Sequence, residues 1–389
     1  MLDWEMTPSL DVDKQDQSIL HLAYSSEIRA GFLHFLPFRL LLATNLLPCL
    51  MMGRIFKMTV SLVAVLLLVI TGLLVLFTVQ AGNRERETSQ QSAPPTGHFV
   101  PTGEVEIFVQ EMGPANGPTV LFVHGTGAWS EMWREPMVAL AAAGYRSIAI
   151  DMPPFGFSER PLPPRYSSHD QARRIIGVVR TLGLTQVTLI GHSFGCRATV
   201  EAASHLAHEI QSLVLIDAAV GMTDDNSPPS PPGWTTRALQ SIFGLSLIRQ
   251  ALVASTVTNP LLTRRLFQLL IDDPADATDP LVEMLQRPLV VRDSTSRVGE
   301  WLQVFLFSDD SSALSSQAAT YRTFAPPTLL LWGERDLLTP LVQGQMLASL
   351  LPDPTLVVLK GVGHIPQVED AAQFTDALLQ FLTVQVPAH

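Results

Sequence analysis

Short apolar runs alternate with amphipathic stretches over much of this chain. The runs at 119–123, 146–150, 186–190 and 212–216 are rich in Val, Ile and Leu and predict buried strands. Between them, helical spacing of apolar residues predicts helices over 131–143, 169–182 and 194–207. Strand and helix in alternation imply a mostly parallel sheet covered by helices on both faces, an α/β architecture. Ahead of it, Phe99 to Gln110 alternates around Pro101-Thr102-Gly103, which predicts an antiparallel hairpin. After Asp217 the pattern breaks. Residues 224–233 are turn-rich, with Ser227-Pro228-Pro229-Ser230-Pro231-Pro232-Gly233, and helical patterns without a strand then run to about residue 323. A strand at 328–332, a helix at 340–350, a strand at 355–359 and a helix at 370–384 resume the alternation. Residues 221–325 thus read as a helical cap inserted between core segments 98–220 and 326–389. The insertion leaves a strand at its carboxyl end, where it would lie over the crevice in which open α/β sheets bind ligands. No internal repeat is visible.

The N-terminal region follows another pattern. Residues 1–30 are polar and acidic and are expected to be poorly ordered. Residues 31–53 are apolar but carry His34, Pro37, Arg39, Asn45 and Pro48, which argues for an interfacial or signal-like segment rather than a span. Translation from Met51, Met52 or Met58 would leave this region out altogether. Residues 58–79, by contrast, contain neither charge nor proline, and these 22 residues can cross a bilayer of about 30 Å. They read as a transmembrane anchor, preceded by an N-terminal region, 1–57. Arg54 and Lys57 precede the span, while Arg84 and Arg86 behind it are interleaved with Glu85 and Glu87. This slight bias favours a cytoplasmic N-terminus and a folded domain outside the cytoplasm. Val79-Gln80-Ala81 resembles a signal-peptidase site, so secretion after cleavage near Ala81 is the alternative. If 31–53 also spanned, the pair would form a hairpin and the domain would face the cytoplasm. Residues 80–97, polar and holding Pro94-Pro95, read as a linker.

Composition narrows the function. The chain has 389 residues, enough for one large α/β domain with appendages, and its net charge of −11 argues against nucleic-acid binding. Cys49 and Cys196 are its two cysteines, so neither a disulfide framework nor a cysteine zinc cluster is expected.

Five residues carry the chemistry: Gly191-His192-Ser193-Phe194-Gly195. They follow the strand Val187-Thr188-Leu189-Ile190 and open an alanine-rich helix. A strand turning sharply into a helix through Gly-x-Ser-x-Gly projects the serine hydroxyl from the sheet edge, and the flanking glycines let strand and helix approach closely. Serine needs a base in hydrogen-bond reach, and the base needs an orienting acid. Asp336 and His364 each follow a strand, so both would emerge at the edge that carries Ser193. Asp336 could instead cap the helix that follows, and Glu334 and Asp217 are the rival acids. An oxyanion would be held by the backbone amide of Phe194 and by the loop His124-Gly125-Thr126-Gly127, with Thr126 the best second donor. His124 is expected to tie that loop down, and Trp129, Trp133 and His192 to pack; His169, His205 and His208 look like helix or surface residues.

With these motifs the chain resembles the α/β-hydrolase superfamily, over about residues 98–386. It looks most like the capped serine esterases, lipases and carbon–carbon hydrolases. It departs at Pro154, where the family's Asp-x-Pro-Gly-x-Gly-x-Ser has its first Gly, and at Cys196, where many members have Gly. A serine nucleophile sets it apart from the dehalogenases and epoxide hydrolases, which use aspartate. The resemblance implies Ser193, His364 and Asp336 as a triad, no cofactor or metal, and hydrolysis of an ester or similar acyl bond in a small hydrophobic substrate. Carbon–carbon or amide hydrolysis, or acyl transfer, on the same residues is the first alternative. A binding protein that merely keeps the fold is the second. The lipid bilayer would be a partner through the anchor, and the oligomeric state is not legible.

Overall fold

The computed structural model describes residues 37–206, 208–222, 233–308 and 312–386, with backbone alone over 37–53. The turn-rich stretch 224–233 therefore lies outside the described residues except for Gly233, as does the whole of 1–30. By compactness the chain divides into residues 1–67 and 68–389.

The sheet has eight strands: β1 (Gly97–Pro101), β2 (Glu106–Met112), β3 (Thr119–Val123), β4 (Arg146–Ile150), β5 (Val187–His192), β6 (Ile210–Ile216), β7 (Thr328–Gly333) and β8 (Pro354–Leu359). Their order is β1-β2-β4-β3-β5-β6-β7-β8. The β1–β2 hairpin is antiparallel and joins β4 antiparallel; β4 to β8 and β3 pair in parallel. Register aligns the carboxyl ends, with Val123 beside Gly191, His192 beside Ile216, and Ile216 beside Leu331. The chain therefore leaves β3, β5, β6, β7 and β8 along one edge.

Period-two alternation sorts the strand side chains into two layers. Leu121, Leu189 and Leu215 face one core, shared with Ile175, Val178 and Val200 of the helices Ser168–Thr181 and Gly195–His205. Phe122, Ile190 and Val214 face the other, with Met137 and Leu140 of Arg134–Ala142 and Phe374 and Leu378 of Ala371–Gln385. Strands buried on both faces are why these runs read as continuously apolar. Among the described residues, 221–325 holds helices and no strand, including Trp234–Gly244, Ser246–Ser255, Asp279–Gln286 and Ser294–Phe307.

Ahead of the sheet, one helix runs from Pro37 to Arg84. Pro48 lies inside it, and the helix continues past this proline with one fewer bond. The part Arg54–Arg84 is long and apolar enough to cross a membrane, with none of its most apolar window buried.

Residues 80–97 differ from the free linker that their polarity suggested. Ala81 is buried, and the Arg84 guanidinium donates to the carbonyl of Leu289 at 3.0 Å. Glu85 accepts from the backbone N–H of Thr295 at 3.1 Å and, through its other oxygen, from the Thr295 hydroxyl. Glu87 bridges to Val291. A short helix, Ser89–Ser92, carries a reciprocal cap between Thr88 and Gln91. A polar segment can be as fixed as an apolar one when its donors and acceptors all find partners. Removing the Glu85 carboxylate by Glu85→Ala should lower stability by about 1.5–3 kcal/mol, the usual range for hydrogen bonds to a charged group. Thermal unfolding of the two proteins in the same detergent measures it, and identical midpoints would show that the docked segment contributes nothing.

Candidate active site

Close approach dictates the turn after β5. A Cβ on Gly191 would sit 2.6 Å from Thr199 Oγ1, and one on Gly195 would sit 2.4 Å from the carbonyl oxygen of His124. The residue between them, Ser193, is held at φ +52°, a left-handed conformation that costs a side-chain-bearing residue of order 1–3 kcal/mol. Its backbone is pinned on both sides: its N–H donates to Ile216 O at 2.9 Å, and its carbonyl accepts from Ala219 N at 3.2 Å. The hydroxyl then meets His364, with Ser193 Oγ 2.8 Å from His364 Nε2. On the far side of the ring, His364 Nδ1 lies 2.8 Å from Asp336 Oδ2. All three side chains are buried. A histidine bridging a hydroxyl and a carboxylate in this way can take a proton from one while the other fixes its tautomer.

Asp336 also caps the turn that follows it. Its Oδ1 accepts from Leu338 N at 2.7 Å and Thr339 N at 3.0 Å, and its Oδ2 from the Thr339 hydroxyl at 2.5 Å. The capping role and the role beside His364 thus coexist in one side chain. Burial by itself would raise its pKa, but the hydrogen bond and charge of His364 and the bonds from Thr339 outweigh it, and the pKa falls below the ordinary 3.8. The rival Asp217 lies close by, with carboxylate oxygens of both acids and a His364 nitrogen all within 4.8 Å of one another. Its Oδ1 accepts instead from Gly333 N, at 2.9 Å, and its side chain is hydrogen-bonded to that of Asp336. Burial, then the Asp336 charge, push the pKa of Asp217 well up, which favours its neutral form, whereas the pKa of Asp336 is lowered. Glu334, the other rival, accepts from Gly361 N at 3.0 Å on the exposed side of the same loop.

Two further histidines are held neutral. His124 Nδ1–H donates to Gly125 O at 2.7 Å and Nε2 accepts from Met152 N at 2.8 Å, so both ring nitrogens are used to fix the loop after β3. Burial brings its pKa down to about 4. His192, with its pKa lowered to about 3 by burial and by His364, lies with Nε2 2.8 Å from the carbonyl oxygen of His364. It therefore does more than pack, because it anchors the backbone of the histidine facing Ser193. A Cβ on Gly125 would sit 3.0 Å from Ser193 Cβ, so the loop backbone comes right up to the serine. Phe194 N and Thr126 N, the expected oxyanion donors, meet no protein acceptor among the described residues. Trp129 and Trp133 are core residues; Trp129 Nε1 donates to Met284 O at 3.0 Å, and Trp133 packs on Phe122 and Phe374. Of the two departures in the sequence, Cys196 is a buried thiol whose Sγ lies 3.7 Å from Ile216 O, the carbonyl that also accepts from Ser193 N, and the loop holding Pro154 is tied through Ser158 Oγ, 2.6 Å from Asp151 O.

The sequence reading missed three positions. Glu369 accepts from the amides of Gly363 at 2.9 Å, Ile365 at 2.8 Å and Asp272 at 2.7 Å, which clamps the loop on both sides of His364. The other two, Trp301 and Phe305, come from the helix Ser294–Phe307. They stack on each other at 5.1 Å and meet the Phe194 ring edge-on at 5.2 and 5.3 Å. A cavity under them is lined by His124, Met152, Phe155, Phe194, Ala198 and Trp301, among others, and by no lysine or arginine. Helical spacing in the cap shows that such residues share a face, but not which core element that face meets.

Comparison with known proteins gives the same architecture. The profile of the α/β-hydrolase-fold family matches residues 118–371. The chain is similar to 2-hydroxy-6-oxononadienedioate/2-hydroxy-6-oxononatrienedioate hydrolase 2 of Pseudomonas putida, at 27% identity over 286 residues, 72% of this chain and 92% of the relative. Among solved structures it is similar to a membrane phospholipase A described as a bacterial virulence factor, with TM-score 0.57, 24% identity, and coverage of 89% of this chain and 98% of that one. A meta-cleavage product hydrolase from Pseudomonas fluorescens IP01 matches with TM-score 0.59 and 23% identity, over 74% of this chain and 98% of its own. These two likenesses show the fold. Residues 98–389 make up about three quarters of the chain, so the match to the phospholipase extends ahead of the hydrolase domain.

The two acids can be told apart by turnover. Asp336→Asn should cost about 10⁴-fold in kcat, the scale seen when an orienting acid is lost. Asp217→Asn, with no bond to His364, should cost far less. A folded Asp217→Asn protein more damaged than Asp336→Asn would reverse the assignment.

Proposed function

The chain belongs to the α/β-hydrolase-fold family, and from that premise we propose that it is a membrane-anchored serine hydrolase cleaving an ester or related acyl bond of a hydrophobic substrate. Ser193 attacks the carbonyl while His364 Nε2 takes its proton. Asp336 keeps the Nδ1–H tautomer and stabilises the imidazolium. The amides of Phe194 and Thr126 hold the oxyanion, His364 returns the proton to the leaving group, and water then releases the acyl group from Ser193.

The observation that carries this reading is the buried relay from Ser193 through His364 to Asp336, with both contacts at 2.8 Å. The substrate class rests on what surrounds it. The side chains around Phe194 are mainly aromatic and aliphatic, with His124 and Gln171 the polar members, which favours an apolar group beside Ser193. The Pseudomonas putida relative is named for hydrolysis of a dicarboxylate, and on that likeness a 2-hydroxy-6-oxo acid is the second reading.

The apolar helix supports an anchor, and its flanking charges favour a hydrolase domain outside the cytoplasm. Large apolar residues exposed on the cap, such as Trp234 and Leu247, suit a domain working near a bilayer. Residues 81–87, which follow the apolar helix, are held to the cap by the contacts of Arg84, Glu85 and Glu87.

Two experiments test this. The full chain in detergent should hydrolyse esters of graded acyl length and label with a fluorophosphonate. Ser193→Ala should lose the label and at least about 10³-fold of kcat while staying folded. Unchanged labelling of the variant would refute the serine, whereas turnover of 2-hydroxy-6-oxo acids in preference to esters would favour the second reading. Separately, protease added to intact cells or spheroplasts should degrade the hydrolase domain. A domain protected until the membrane is lysed would reverse the orientation, and a membrane-free chain beginning at Gly82 would show a cleaved signal.

A further inference from the structure

Three metal-competent donors meet on the flank of the domain, away from the crevice. Glu201 and His205 lie one turn apart on the helix Gly195–His205, so they share a face. His169, at the start of the helix Ser168–Thr181, faces them from the neighbouring element. Glu201 Oε1 is 3.7 Å from His169 Nδ1 and 3.8 Å from His205 Nε2, and the three donor atoms all lie within 4.8 Å of one another.

These distances are too long for hydrogen bonds. They are close to the spacing of two donors around one ion: at ligand distances of about 2.1 Å, tetrahedral donors stand roughly 3.4 Å apart. The carboxylate is also built in. Glu201 is 6% exposed at its side chain, and its other oxygen, Oε2, is taken by Leu314 N at 2.8 Å. That bond leaves Oε1 aimed at the two imidazoles. The imidazoles are 60% and 46% exposed, so further coordination positions would be open to water.

We infer that His169, Glu201 and His205 form a binding site for one transition-metal ion of the zinc class. The surroundings select the ion by donor type. Arg173, Arg174, Arg180 and Glu104 line the same groove as His169 and His205, and their charge bears equally on every divalent ion, so selection falls to the donor atoms. Two imidazoles and a carboxylate suit Zn²⁺, Co²⁺, Ni²⁺ or Cu²⁺. A bound ion would tie the first turn of one helix to the last turns of another, and the second of these helices begins at the turn that carries Ser193. Its role is that of a staple on the scaffold. The two cysteines pointed to no metal, because a site built from two helices leaves only its Glu-x-x-x-His half in linear sequence.

The test uses the full chain in detergent, stripped with a chelator and titrated with Zn²⁺ against a chromophoric competitor. One equivalent should bind, and the thermal midpoint should rise with Zn²⁺ concentration. His169→Ala and His205→Ala, both at exposed positions, should each weaken binding at least tenfold and abolish the thermal shift, with hydrolysis in the absence of metal unchanged. Absence of stoichiometric binding by the wild-type chain would overturn the proposal. So would equal binding by both variants, and if that binding also inhibited hydrolysis, the zinc would be at Asp217, Asp336 and His364 instead.

Discussion

The fold is arranged around a backbone that is forced to turn where a side chain is least welcome. Ser193 holds a left-handed conformation between two glycines whose missing side chains leave room for Thr199 on one side and the His124 carbonyl on the other. The strain is local, and its compensation is distributed. The Ser193 N–H and carbonyl are satisfied by Ile216 and Ala219, so the end of β6 holds the turn, and the turn in turn holds the start of the helix beneath it. Interior strands β3, β5, β6 and β7, buried on both faces, supply the rigidity that keeps a strained residue in place.

The base is positioned by the same economy of backbone contacts. His364 sits in a loop that three different elements grip. Its own N–H donates to Leu270 O in the cap, His192 reaches its carbonyl, and Glu369 takes the amides of its neighbours. Burial keeps His124 and His192 neutral and pushes the second acid, Asp217, toward its protonated form. Of the two acids and three histidines gathered here, Asp336 and His364 are the pair whose contacts lead to the serine.

The cap is joined to both ends of the molecule's business. Its helix Ser294–Phe307 receives Glu85 at its first turn, through Thr295, and lays Trp301 and Phe305 on Phe194 two turns later. The segment that follows the apolar N-terminal helix and the aromatic side chains beside Phe194 are therefore contacts of a single helix.

Linear order carried the parts of this protein that obey local periodicity. Alternation of strand and helix, the Gly-x-Ser-x-Gly turn, and an acid and a histidine each just past a strand are all local signals. A parallel sheet converts them into position, because every such strand ends at the same edge. Asp336 and His364 meet Ser193 for that reason, though nearly 150 residues and a cap separate the serine from the acid. Tertiary structure alone decided what depends on partners remote in sequence. Residues 80–97 look like a linker, but Glu85 and Thr295, 210 positions apart, fix them. Trp301 and Phe305 are two apolar residues in a helical stretch until packing turns them toward Phe194. Asp217 and Asp336 follow strands alike, and only the bond from Gly333 N to one and the contact of His364 with the other tell them apart. Helix and strand patterns report which residues share a face, whereas the neighbour that face meets is set by how whole elements pack.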